Sequence, residues 1–161
     1  MSLMLFLPDS DATERLGRAL AVTRPTQASV HLHGDLGAGK STLARALLRA
    51  LGVQGAIRSP TYTLVERYPL ADGEAWHLDL YRIGAAGELD FLGLDEGGAT
   101  LWLVEWPERG GDVLAPADVE VRLAAVRGDG RSVALQARTE AGAAWLARVG
   151  GQADLQGLFA G

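Results

Sequence analysis

The run Gly34-Asp35-Leu36-Gly37-Ala38-Gly39-Lys40-Ser41 constrains this chain more than any other stretch, because it fits G-x-x-x-x-G-K-S/T and dictates what must flank it. Glycines at those spacings let the backbone take positive φ and approach an anion with no Cβ in the way. Successive N–H groups then converge as a nest. A helix starting at Lys40 aims the positive end of its dipole at the same point. The flanks agree with this demand. Ser29-Val30-His31-Leu32-His33 reads as a strand, and residues 40–51 read as a helix with Leu43, Leu47 and Leu51 on one side and Gly52 as its stop.

Such a loop cradles nucleotide phosphates, and the expected ligand is ATP with Mg2+. Asp35, Leu36, Gly37, Ala38 and Gly39 line the cradle, Lys40 reaches the β- and γ-phosphates, the Ser41 hydroxyl ligates Mg2+, and Thr42 holds an inner phosphate. Composition sharpens the reading at one residue. Of fifteen Lys and Arg residues, Lys40 is the sole lysine. A chain that uses arginine everywhere else keeps a lysine where a compact ammonium on a flexible stem fits and a planar fork does not.

The rest of the chain supports one α/β domain over residues 1–161. Its sheet is expected to be parallel in the nucleotide-binding part, with an antiparallel C-terminal hairpin and helices packed on it. Asp11-x-x-Glu14 resembles a capping box opening a helix over residues 10–22, broken by Pro25. Strands are expected over residues 62–68, 75–80 and 101–106, the last ended by Pro107. Residues 119–126 and 132–138 flank Gly128-Asp129-Gly130 as a hairpin, and residues 141–149 read as a final helix. Met1-Ser2-Leu3 ahead of Met4 reads as an added leader, and residues 150–161 read as a frayed, flexible tail.

Net charge is −5, a poor basis for gripping nucleic acid directly, since that affinity comes mainly from Lys and Arg neutralising phosphates. With no cysteine there are no disulfides and no thiolate metal sites. No apolar run reaches the ~20 residues of a membrane span, and the opening residues lack the positive charge of a signal peptide, so a cytoplasmic location is expected.

Two acids close apolar strands: Asp79 ends Ala75-Trp76-His77-Leu78-Asp79 and Glu105 ends Leu101-Trp102-Leu103-Val104-Glu105. Ligands of parallel sheets bind beyond the carboxyl ends of strands, so both acids are expected to face the phosphate loop and share the magnesium and water roles. Which one is the inner metal ligand stays open at this point. In Ser59-Pro60-Thr61-Tyr62-Thr63, Thr61 is the candidate switch hydroxyl that senses the γ-phosphate, with a plain polar loop as the alternative. Trp106 either covers the site, stacks on a base or is core. His31 and His33 are spaced for a sheet and not for a metal cluster. Arg58 and Arg82 are the in-chain candidates for an arginine finger, with salt bridges as their alternative role.

Four segments in order, Gly34 to Thr42, Ser59-Pro60-Thr61-Tyr62-Thr63-Leu64-Val65-Glu66, His77-Leu78-Asp79-Leu80-Tyr81-Arg82 and Val104-Glu105-Trp106-Pro107, together closely resemble the TsaE (YjeE) family. The family commonly has Thr at the Ser41 position, and a serine hydroxyl can serve Mg2+ equally. The resemblance weakens after Ala125. It implies a P-loop ATPase that acts with the transferase subunit TsaD and its companion TsaB in tRNA threonylcarbamoyladenosine biosynthesis, meeting tRNA only through that complex. It places the phosphate roles on Gly37, Gly39, Lys40, Ser41 and Thr42, the switch on Thr61, the acids on Asp79 and Glu105, and a site-adjacent role on Trp106. A P-loop small-molecule kinase and a non-catalytic ATP-gated binding module are the alternative readings of the same loop.

Overall fold

A computed structural model describes residues 1–85, 87–89, 93–94 and 97–160. Its elements are β1 (Ser2–Leu7), α1 (Ser10–Thr23), β2 (Ala28–His33), α2 (Lys40–Ala50), β3 (Val65–Leu70), β4 (Gly73–Asp79), β5 (Ala99–Glu105), β6 (Val119–Ala125), β7 (Arg131–Ala137) and α3 (Glu140–Gly150). They build a seven-stranded sheet in the order β1-β7-β6-β2-β5-β4-β3. β6, β2, β5 and β4 run parallel; β7 at one side and β3 at the other run against them, and β1 pairs antiparallel with β7. The expected α/β sheet is therefore present, with antiparallel pairing at both edges.

The helices cover one face. α1 buries Ala12, Leu16, Ala19 and Leu20, and α2 buries Leu43, Ala44, Leu47 and Leu48, the three-to-four spacing of a helix stripe turned to a core. The two helices meet closely at Gly17, where a Cβ would lie 2.8 Å from Ala46 Cβ. Trp145 of α3 is fully buried and its Nε1–H donates to Leu20 O at 3.2 Å and Thr23 Oγ1 at 3.1 Å, pinning α3 to the end of α1. A second cluster lies beside β4 and β5, where Trp76, Leu78, Leu80 and Val104 pack with Ile83, Leu89, Leu94 and Leu114.

Several expectations are corrected. The cap of α1 is Asp9, whose Oδ1 accepts from Ala12 N at 2.9 Å; Asp11 sits within the first turn. β3 starts at Val65, because residues 61–64 are spent on a turn in which Leu64 takes φ 70°. Ser2 and Leu3, within the expected leader, form part of β1 opposite Gln136 and Leu135. Residues 150–160 are packed and not frayed: Leu155 and Leu158 are buried, and Arg15 holds the carbonyls of Asp154 at 2.7 Å and Gln156 at 2.6 Å. Phe6 N–H donates to Leu158 O, and Ala160 N–H to Met4 O, so this segment lies along the free edge of β1. Residue 161 lies outside the described residues. Among the described residues no helix is long and apolar enough to cross a membrane.

Candidate active site

The parallel core brings three sequence-distant pieces to one end of the sheet. The phosphate loop leaves the carboxyl end of β2, and Asp79 and Glu105 close β4 and β5 directly opposite one another in register. Their adjacency follows from pairing parallel strands, which puts all three carboxyl ends together.

The loop is fixed by its glycines. Gly34 takes φ 150° where a Cβ would lie 2.5 Å from Leu123 O, and Gly39, at φ 106°, caps α2 with no side chain. Lys40 is 4% exposed, very low for a lone ammonium. It is compensated: Nζ donates to Gly34 O and, at 3.0 Å, to Asp35 O, and lies 4.6 Å from the Trp106 ring centroid. Trp106 gets there by a left-handed turn, φ 57°, immediately after β5, and Tyr81 supports it with ring centroids 5.0 Å apart.

Facing the loop, Ser41 Oγ donates to Glu105, 2.8 Å from Oε2 and 3.1 Å from Oε1. Glu105 is 3% exposed, and His77 Nε2 sits 2.6 Å from its Oε2. Asp79 Oδ1 accepts from Tyr81 N at 3.0 Å. Burial pushes the Asp79 carboxyl above the ordinary carboxylate range; the Tyr81 N–H opposes the rise and the Glu105 charge adds to it. Together these groups enclose a hollow of about 230 Å3, walled by Leu36, Gly37, Gly39, Lys40, Ser41 and Thr42 on one side and by Thr61, Asp79, Glu105 and Trp106 on the other. Amides and an ammonium on one wall suit an anion, and the hydroxyl and carboxylate oxygens on the other suit a hard divalent cation.

Placement of the expected residues is uneven. Asp35 contributes its carbonyl to Lys40, but Asp35 and Ala38 wall a neighbouring cleft and not this hollow. Thr61 is at the wall, yet its Oγ1 lies 2.7 Å from Ser59 Oγ, a contact within its own segment. Neither Arg58 nor Arg82 lines the hollow; the Arg82 guanidinium lies 4.7 Å from the ring centroid of Tyr62, itself 82% exposed. Two participants were missed. Arg131 lines the hollow from β7 and its guanidinium donates to Gly37 O at 3.3 Å. His77 had a local signal, since it lies two residues before Asp79 on one strand and so shares its face. Arg131 had none, because no sequence spacing ties it to Gly37.

A glycine-bounded loop at the head of an amphipathic helix, after a central parallel strand and opposite two strand-end acids, is the arrangement of a P-loop protein. Within that class, the chain belongs to the TsaE family. The family model for threonylcarbamoyl adenosine biosynthesis protein TsaE matches residues 7–133. A Haemophilus influenzae relative, named tRNA threonylcarbamoyladenosine biosynthesis protein TsaE, is 39% identical over 148 residues, covering 88% of this chain and 93% of that one. A Synechocystis relative of the same name is 40% identical, covering 67% of this chain and 72% of its own. The crystal structure of Bacillus subtilis YdiB has the same fold, with a TM-score of 0.77 at 21% identity, covering 93% of this chain and 95% of that one.

Proposed function

We propose that this protein hydrolyses ATP, with Mg2+, in support of tRNA threonylcarbamoyladenosine formation by a TsaD-like transferase and a TsaB-like companion. The observation that carries the reading is the buried sole lysine at the head of α2, across a hollow of about 230 Å3 from a hydroxyl–carboxylate pair. The family membership supplies the process, through the names its members carry. The acidic balance of the chain favours tRNA being held by the partners.

In this reading the triphosphate replaces the carbonyls that now occupy the Lys40 ammonium, and Lys40 neutralises charge developing on the γ-phosphoryl group. Ser41 and Glu105 hold the divalent ion, because they already touch; when bound, the ion supplies charge neutralisation at the phosphate oxygens. Asp79, beside them in register, orients the attacking water and accepts its proton, and its raised proton affinity suits that role. Thr61 completes the wall once its segment turns inward. The nucleoside extends into an adjoining cleft of about 400 Å3 that shares Gly39, Thr42 and Arg131 with the hollow and reaches Ser10 and Thr13 of α1. Arg131 then lies beside the inner phosphates.

The test is reconstitution with the TsaD and TsaB homologues of the same organism and tRNA. Phosphate release stimulated by the partners, together with ATP-dependent modification, is the expected result. ATP that stays bound and intact through repeated rounds of modification would overturn the hydrolase reading.

A further inference from the structure

We propose that His77 is a positioning residue that fixes the Glu105 carboxylate for the divalent cation. The proposal rests on the nucleotide–metal reading above and goes one layer behind it. His77 sits on β4, 2% exposed, with Nε2 2.6 Å from Glu105 Oε2. An ionised carboxylate only accepts, so the proton of this contact sits on Nε2 and the ring tautomer is set. The same Oε2 accepts the Ser41 hydroxyl at 2.8 Å. Glu105 is thus tied on one side to a strand and on the other to the first turn of α2.

The other ring nitrogen makes the case specific. His77 Nδ1 is buried and has no hydrogen-bond partner among the described residues. A buried polar atom without a partner costs about 1–3 kcal/mol. Its register neighbours are the buried Leu103 on β5 and Glu66 on β3, so an aliphatic side chain here would pack on Leu103 and carry no such cost. The histidine therefore accepts one unsatisfied nitrogen for the sake of one contact, and that contact is to the carboxylate facing Ser41. Holding a glutamate in one rotamer before a cation arrives removes part of the ordering cost from the binding step. Partners that orient a metal-binding side chain typically contribute about 10–100-fold to metal affinity.

The experiment measures Mn2+ affinity in the presence of ADP by electron paramagnetic resonance, and ADP affinity in EDTA by calorimetry, for the whole chain. Three variants separate positioning from packing: His77→Leu removes the donor, His77→Gln puts an amide N–H in the place of Nε2, and His77→Asn cannot reach it. Expected are losses of about 10–100-fold in Mn2+ affinity for the Leu and Asn variants, near-wild-type affinity for Gln, and unchanged metal-free ADP binding in all. Should the Leu variant fail to fold, the Gln and Asn pair still decides. Mn2+ affinity unchanged in the Asn and Leu variants overturns the proposal. So does a Gln variant as weak as Asn, or an equal loss in metal-free ADP binding. Wild-type protein that binds no Mn2+ with ADP refutes the nucleotide–metal reading itself, and is told apart by needing no variant.

Discussion

The phosphate loop and the segment 59–64, which reaches the same hollow through Thr61, are held in different ways. The loop is bound by its own backbone, its glycine at position 34 leaves no room for a side chain, and its lysine is buried under Trp106. Residues 59–64 carry a polar turn whose hydroxyls bond each other, an 82%-exposed tyrosine and a leucine at φ 70°. The half of the site that receives charge is built in advance. The half that completes it is an exposed turn tied to the sheet at its end, where Asp79 N–H donates to Leu64 O, so a ligand or partner can reposition its hydroxyls without dismantling the core.

The largest effect expected of this contrast is at Lys40. Lys40→Ala should lower ATP turnover by at least about 10²–10³-fold, read as phosphate release; turnover within tenfold of wild type would break the assignment of the loop as the charge-bearing half. Next, Gly34→Ala should cost about 1–3 kcal/mol of stability, several degrees in thermal unfolding, because its Cβ meets a carbonyl of β6. A silent Gly34→Ala would mean the loop is not preformed. Thr61→Ala should leave unfolding temperature and ADP affinity unchanged and slow turnover about tenfold, roughly 1.4 kcal/mol of barrier. Equal losses in binding and turnover would erase the distinction between the two halves.

The smallest effect concerns the strand that feeds the loop. Burial, reinforced by the neighbouring His33 at His31 and by Arg122 at His33, keeps both imidazoles below the ordinary range, although Glu120 and Glu108 pull upward. Below about pH 6.5 the unfolded chain binds these protons more readily than the folded one, so stability should fall as pH drops through that window. In His31→Gln the fall in unfolding temperature between pH 7.5 and 5.5 should be smaller by about 2 °C.

What could be read in the chain was what is encoded locally. The phosphate loop, Asp79 and Glu105 are legible because spacing and strand ends carry the chemistry, and they converge in the fold as expected. β1 was missed because its pairing partner lies some 130 residues away at Leu135 and its neighbours, and an apolar opening run carries no turn signal to announce it. The packed segment after α3 was missed for a similar reason: Leu155 and Leu158 are scattered among polar and small residues with no period, and Arg15 anchors the backbone beside them from α1. Arg131 reaches Gly37 through a tertiary contact alone. The contact of Thr61 with Ser59 lies in a turn, closed by Leu64 N–H donating to Pro60 O, that residue types did not announce.

The solitary lysine also gives the chain an unusual chemical address. An acylating or carbamoylating reagent finds, apart from the amino terminus, one side-chain amine in the whole molecule, and it lies at the centre of the phosphate loop. The extent of modification at that amine, read by mass, would report occupancy of the loop directly, and bound nucleotide should shield it.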